Sequence, residues 1–379
     1  MDLKEIRGQI DAIDDEIARL YKQRIELALG VAENKIKDGL PVENRERENQ
    51  IIARVTADFP EDTKLYCKQV FETMFETSKA YQYGIVGGKS KVKDEIAAAI
   101  GDGLKPFPVQ ASVACQGVYG AYSCIAAEKI FPIAEISCFK NWDGVFSAVE
   151  KGFCEFGVLP IENSTAGSVI GVYDLMRKHK FYIARSFKLR VKHRLLAKDG
   201  IDIKDIKEVI SHDQAIMQCS EFLKSLGDIK ITRCDNTALA AKITAESGRS
   251  DLACISSKEC EAIYGLKPIR TDINDSNNNY TRFIAITNKP CAFDGANRIS
   301  VTVNLAHEAG SLNKTLNKFS ALGLNLTKIE SRPIPDSPFE FTFYFDFEAD
   351  VRSAAVQNLL SHISETADEF AFLGAYEEI

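Results

Sequence analysis

Between Leu3 and about Lys37 the chain has no proline, and apolar residues recur at Ile6, Ile10, Ile13, Ile17, Leu20, Leu27 and Val31. Steps of 4, 3, 4, 3, 7 and 4 put these side chains on one stripe of a long helix. Such a stripe faces a core or a partner helix. Arg24 fills the gap of 7, in register on the stripe. A lone buried charge costs on the order of a few kcal/mol unless an anion meets it. Lys35 lies 11 residues further on, about 20° away around the helix, and shares that face. Two more helical segments repeat the substitution. Asn44, Glu48, Ile51 and Val55 step by 4, 3, 4, and so do Phe71, Phe75, Ser78 and Gln82. Polar residues on three apolar stripes are open to two readings. One is a pocket for a compact anion inside a helical bundle. The other is a helical dimer in which they fix register. Arg7, 17 residues before Arg24, lies about 100° away around the helix. It cannot easily share a pocket with Arg24 on one straight helix, so an intertwined dimer is expected, at least.

Residues 84–108 hold five glycines and two prolines around one short helical stretch and read as a linker. Its Gly84-Ile-Val-Gly-Gly-Lys-Ser90 run is one residue short of a P-loop, and no apolar strand run precedes it. From residue 109 short apolar strands alternate with helices, which predicts an α/β unit with a mostly parallel sheet. Residues 187–198 read as one half-exposed strand and 213–226 as one helix. Two lobes joined by crossover strands, with a cleft between them, are expected. Residues 297–379 give the order βαββαβ, a ferredoxin-like arrangement. The predicted fold class is therefore multidomain: a helical domain, a two-lobed α/β domain and an α+β domain.

Net charge is −7 over 379 residues, which argues against nucleic-acid or acidic-membrane partners. Asp2 opens an amphipathic, not apolar, start, so a cytoplasmic protein without a signal peptide is expected. Ten cysteines without a CxxC pair and five dispersed histidines predict reduced thiols, no metal site and no cofactor.

In the α/β region polar motifs fall at strand-to-helix junctions, where such folds build sites. They are Gln116–Ser123, Glu162-Asn163-Ser164 with Ala166–Val169, Ser211–Gln214 with Gln218-Cys219, and Asn279–Phe283. Donors at helix N-termini make an anion site. Each motif alone also reads as turn or capping chemistry, with Ser123, Ser168 and Asp213 as N-caps.

Residues 1–83 resemble the AroQ-type chorismate mutases through IRGQIDAIDDEI, QRIELALGVAENK, PVENRERENQI and the late Ser78 and Gln82. The resemblance implies that Arg7, Arg24, Lys35, Arg47, Glu48, Ser78 and Gln82 line the site. Asn44 stands where members often carry Asp, and its amide can still bond a hydroxyl. Residues 109–288 resemble prephenate dehydratase through Thr281-Arg282-Phe283, Pro160–Ser164 and Ser211-His212 with Gln218-Cys219. That resemblance implies two subdomains like those of periplasmic binding proteins. Thr281 is then expected to bond the leaving hydroxyl, with Glu162 as candidate proton donor. Asn163, Ser164, Ser211, His212, Gln218, Arg282 and Phe283 are expected around the substrate; Arg282 reads equally well as structural, and Glu162 also reads as a structural carboxylate at a turn. Residues 297–379 resemble an ACT regulatory module. Glu330-Ser331-Arg332-Pro333 and the facing Gly310-Ser311-Leu312 are implied to bind phenylalanine. Together these imply conversion of chorismate through prephenate to phenylpyruvate under phenylalanine control, with the mutase half, across the 84–108 linker, expected to respond less to phenylalanine than the dehydratase. The rivals are a mutase joined to a dehydrogenase, which would need a Gly-x-Gly-x-x-Gly loop that this chain lacks, and a non-catalytic sensor.

Overall fold

The structure, a computed structural model, describes residues 2–38, 40, 42–86, 90–335, 337 and 339–379. It divides into two compact units, Met1–Ala97 with Val301–Phe372, and Ala98–Ser300 with Leu373–Ile379.

The first unit opens with the expected helices, α1 (Leu3–Asp38), α2 (Arg45–Val55) and α3 (Glu61–Val86), followed by α4 (Lys91–Ile100). Asn44 caps α2 by accepting from the Arg47 amide at 2.9 Å. The Tyr21 and Thr77 hydroxyls, 2.6 Å apart, pin α1 to α3. The α1 stripe stays open in one chain: Ile13 is 59 % exposed and Leu27 74 %. Helix α4 falls inside the expected linker and buries Val92, Ile96 and Ala99. Gly87, Gly88 and Lys89, the heart of the P-loop-like run, lie outside the described residues.

The second unit begins as β1 (Gln110–Gln116), α5 (Tyr122–Ile130), β2 (Ile133–Phe139), α6 (Trp142–Glu150), β3 (Phe156–Asn163), β4 (Gly167–Ser168), α7 (Ile170–Met176) and β5 (Tyr182–Arg190). It then crosses to β6 (Arg194–Ala197), β7 (Glu208–Ser211), α8 (Asp213–Gln218), α9 (Ser220–Ser225), β8 (Lys230–Arg233), α10 (Thr237–Glu246), β9 (Leu252–Ser256), α11 (Glu259–Tyr264) and β10 (Lys267–Arg270), and returns through β11 (Tyr280–Thr287). One lobe holds the sheet order β5-β11-β3-β1-β2, the other β10-β6-β9-β7-β8. Chain segments 191–193 and 271–279 are the crossovers. The expected continuous strand over 187–198 is therefore two strands in two sheets. The helix expected over 213–226 breaks at Cys219, between α8 and α9. The N-caps are Ala121, Val169 and His212, each one or two residues from the expected Ser123, Ser168 and Asp213; β4 occupies Ser168.

The chain ends with β12 (Arg298–Asn304), α12 (Ser311–Ala321), β13 (Leu326–Pro333), β14 (Phe341–Glu348), α13 (Ala354–Thr366) and β15 (Glu369–Glu378). The order β13-β14-β12-β15 with two helices is the expected βαββαβ arrangement. In the first unit this module packs on α3: the Tyr83 ring stacks on His362 at 4.1 Å. The end of β15 belongs to the second unit, where Glu377 and Glu378 run parallel to β5.

Candidate active sites

In the helical unit, charges converge on α3. Arg24 reaches from α1 to the Met74 carbonyl at 3.3 Å and lies 5.5 Å from the Phe75 ring. Lys35 Nζ donates to the Val42 carbonyl at 2.5 Å. Burial lowers its pKa, and the Glu48 charge opposes that shift. Glu48 stands 3.2 Å from Lys79, which also meets Glu76 at 2.5 Å. Burial raises the Glu48 carboxyl above the usual carboxylate range, against the pull of Lys79. Gln82 and Ser78 are buried and 3.5 Å apart.

Arg24, Lys35, Glu48, Ser78 and Gln82 thus come to the inner faces of these helices. Arg7, Asn44 and Arg47 are exposed in the single chain. The Asn44 carbonyl is taken by the helix cap, so the expected bond to a ligand hydroxyl is left to its NH₂ group. Glu76 and Lys79, which sequence reasoning missed, occupy α3 one residue either side of the Thr77–Ser78 pair, where a helical charge reads as a solvated face. A cavity of about 360 Å³ is lined by Glu48, Phe75 and Lys79 together with Ser311, Lys314 and Lys318 of α12. Helix α3 is thus a common wall of the helical segment and the βαββαβ module.

In the α/β unit, a cavity of about 350 Å³ is lined by residues of both lobes. The N-caps of α5, α6, α8 and α10 (Ala121, Asn141, His212 and Asn236) all line it. Helix N-termini carry partial positive charge and open N–H groups, so this wall suits an anion. Lys140 also lines the cavity.

Asn163, His193, Gln218 and Thr281 of this lining belong to a network of amides. Asn163 Nδ2 donates to Thr281 Oγ1 at 2.9 Å and to Asn279 Oδ1 at 2.8 Å. Asn163 Oδ1 accepts from the Thr165 and Ala166 amides at 3.1 and 2.9 Å and from the Thr165 hydroxyl at 2.7 Å. Asn279 Nδ2 and His193 Nε2 both reach Gln218 Oε1, at 2.9 and 3.0 Å. Gln218 Nε2 reaches the Thr165 hydroxyl at 3.2 Å.

Of the expected residues, Asn163, His212, Gln218, Thr281 and Phe283 line the cavity. Four do not, two of them, Glu162 and Arg282, for reasons of strand geometry. Side chains alternate along a strand, so Thr281 and Phe283 face the cavity and Arg282 faces away. Asn163 and Glu162 split in the same manner. Glu162 and Arg282 meet on the far side at 3.7 Å, and Arg282 is 3.8 Å from Glu378. A carboxylate beside an arginine there is a structural ion pair, so Glu162 is withdrawn as proton donor and Arg282 as a substrate ligand. Ser211 is wholly buried and donates to the Ile255 carbonyl at 2.7 Å, tying β7 to β9. Ser164 pins its loop to β11, donating to the Asn278 carbonyl and accepting from the Tyr280 amide, both at 2.9 Å. His193 was absent from the expected set, and Asn279 was named only as the start of the Asn279–Phe283 motif, without a role. Asn279 sits beside the Thr281 motif, and His193 interrupts the alternation of 187–198, so both left a signal.

In the βαββαβ module, Gly310 takes φ 87° as the N-cap of α12, a conformation that glycine adopts without strain. Ser311 and Leu312 line a cavity of about 320 Å³ with Phe341 and Phe343. Ser331 and Pro333 pair directly with Phe343 and Phe341 on β14 and share their face of the sheet. Glu330 and Arg332 point to the other face, and none of the four lines this cavity in one chain. Strand β13 is the last of its sheet path.

Among the described residues no group of three or more His, Cys, Asp or Glu is placed to hold a metal ion. No described helix is long and apolar enough to cross a membrane.

Comparison with known proteins matches both segments to known families. The type II chorismate mutase family matches residues 6–83, and the prephenate dehydratase family matches residues 113–291. The chain is 41 % identical to arogenate dehydratase/prephenate dehydratase 2 of Arabidopsis thaliana, over 70 % of this chain and 72 % of that protein. It is 28 % identical to the bifunctional chorismate mutase/prephenate dehydratase of Escherichia coli (strain K12), over 99 % of this chain and 96 % of that protein. The crystal structure of prephenate dehydratase in complex with L-Phe from Arthrobacter aurescens superimposes with a TM-score of 0.65 at 25 % identity, over 70 % of this chain and 89 % of that one.

Proposed function

Since the chain belongs to the prephenate dehydratase family and carries a chorismate mutase segment before it, we propose how its residues divide two successive reactions. It is a bifunctional enzyme of phenylalanine biosynthesis that rearranges chorismate to prephenate and converts prephenate to phenylpyruvate. Residues 1–83 carry the mutase, 84–108 link it to the dehydratase of 109–288, and 297–379 form an ACT regulatory domain.

The mutase step is a [3,3] rearrangement and needs no covalent catalyst. Arg24 clamps a carboxylate, and Lys35 with a protonated Glu48 donates to the ether oxygen as it gains charge. The exposed α1 stripe supports an intertwined homodimer in which Arg7 serves the partner's pocket. Along one continuous helix Arg7 and Arg24 are about 25 Å apart, too far for one ligand.

In the dehydratase, carbon dioxide and the ring hydroxyl leave together as the ring becomes aromatic. Helix N-termini orient the dianion. The observation that carries this reading is the bond from Asn163 to Thr281 Oγ1. It occupies a lone pair of that oxygen and leaves its proton for the departing hydroxyl. The two subdomains are of the periplasmic-binding-protein kind, and the enzyme works in the cytoplasm. Phenylalanine is the effector: it binds where Ser311 and Leu312 of one ACT domain face Ser331 of a second copy, and it favours a state with an impaired dehydratase cleft.

A coupled assay from chorismate to phenylpyruvate, with and without phenylalanine, tests the reading. Prephenate and arogenate should both be offered, since the names of the plant relatives include both. Prephenate formation without any dehydration of either substrate would contradict it.

A further inference from the structure

We propose that His193 is a positioning residue of the dehydratase, donating from Nε2 to Gln218 and so holding the amide ring that keeps the Thr281 hydroxyl a donor into the cleft. The inference rests on the dehydratase reading above.

The direction of each bond can be followed from the backbone. Two main-chain N–H groups, of Thr165 and Ala166, reach the same side-chain atom of Asn163, so that atom is the carbonyl oxygen. Asn163 therefore turns its NH₂ group toward Asn279 and Thr281. The Asn279 atom that receives it is the oxygen, which leaves the Asn279 NH₂ group facing Gln218. Gln218 must answer with Oε1. His193 Nε2 lies 3.0 Å from that oxygen, and only an N–H there gives an attractive contact. The other end of Gln218 meets the Thr165 hydroxyl, which donates back to Asn163 and closes the ring.

The imidazole is well placed to hold this ring. His193 is 2 % exposed and sits on the 191–193 crossover. Its amide donates to Asn274 Oδ1 at 2.7 Å, and its carbonyl accepts from the Ile273 amide at 3.2 Å, which ties the two crossovers together. Nδ1 lies 3.2 Å from the Tyr122 hydroxyl on α5, so the ring bridges one lobe to Gln218 of the other. Burial depresses its pKa to about 4, which keeps it neutral over the working range. Without this donor Gln218 Oε1 keeps one partner. A half-satisfied amide can rotate, and the disorder passes through Asn279 and Asn163 to the reacting hydroxyl.

The test uses the full chain with prephenate as substrate and its own mutase turnover as the folding control. His193→Leu should lower kcat roughly 10- to 100-fold while KM stays within about threefold. His193→Gln, which can place an amide N–H near the same point, should recover most of kcat. If His193 acts through Gln218, His193→Leu should cost nothing further in a Gln218→Leu background. A His193→Leu kcat within twofold of wild type, or losses that multiply in the double variant, would overturn the inference. Should His193→Leu lose mutase turnover as well, His193→Gln decides: near-normal kcat supports the proposal, and a loss equal to that of Gln218→Leu overturns it. A wild type that fails to convert prephenate would instead refute the dehydratase reading itself.

Discussion

The mutase pocket is a row of charges, with Lys79 between Glu48 and Glu76 and Arg24 reaching in from α1. The hydrogen-bonded network that holds Thr281 at the dehydratase cleft is neutral: Asn163, Asn279, Gln218, Thr165 and an uncharged His193. The difference follows from the chemistry. A rearranging dianion must be folded into a compact shape and gains charge on an ether oxygen, so cations help throughout. A substrate that must shed carbon dioxide is slowed by any cation that holds its ring carboxylate too well. Its enzyme does better with one oriented hydroxyl. The two regions also differ in completeness. The dehydratase network closes within one chain, whereas the helical stripe of α1 lies open and Arg7 is far from Arg24 along it.

The largest effect should come from Thr281. Thr281→Ala should lower phenylpyruvate formation by about 10³-fold or more, with prephenate accumulating from chorismate, while Thr281→Ser keeps part of the rate. Near-normal dehydration by the alanine variant, followed by phenylpyruvate absorbance, would show that the network serves some other end.

Arg24→Ala comes next. Mutase turnover should fall about 100-fold or more, with conversion of added prephenate unchanged. Equal loss of both activities would mean that Arg24 holds the fold.

The charge row has a signature in pH. In its proposed role as donor to the ether oxygen Glu48 must be protonated, and burial raises its pKa above the usual carboxylate value. Activity is therefore complete below that pKa and declines as pH rises through it. Lys79→Met removes the cation that favours the carboxylate, so the decline should move to higher pH, and Glu48→Gln should flatten it. A wild-type profile that is flat from pH 5 to 9 contradicts the role of Glu48. The amide network behind Thr281 has no charged member, so the dehydratase profile over the same range should respond far less to these substitutions.

The smallest effect concerns control. Ser331→Ala should weaken phenylalanine inhibition a few-fold and leave uninhibited dehydration nearly unchanged. Because α12 and α3 share a cavity wall, phenylalanine should also move the mutase rate. A mutase indifferent to saturating phenylalanine would show that this shared wall transmits nothing.

Much of this was legible in the sequence. The 4–3–4 spacing placed α1, α2 and α3 and marked Arg24, because a charge on an apolar stripe stands out. The βαββαβ order was plain because β14 alternates and its helices carry broad apolar faces. Reading motifs as blocks failed. Thr281-Arg282-Phe283 looks like three adjacent site residues, yet a strand sends every second side chain to the other face. Arg282 and Glu162 are lost to the site for that reason alone. Ser211 was misplaced because a hydroxyl at a strand end serves the neighbouring strand as readily as a ligand. His193 was missed inside a run read as one strand, although its polar side chain breaks the apolar alternation of Phe187, Leu189 and Val191 where the chain crosses between two sheets.

The central contrast, a mutase site shared between two copies and a dehydratase site complete in one, can be tested by co-expressing Arg7→Ala with Arg24→Ala. Each variant alone should lack mutase activity and keep dehydratase activity. In a mixed dimer one pocket combines intact Arg24 from one chain with intact Arg7 from the other. The mixture should therefore recover about a quarter of wild-type mutase turnover, with dehydration constant throughout. No recovery above the separate variants, or an Arg7→Ala enzyme that is fully active by itself, would contradict the account.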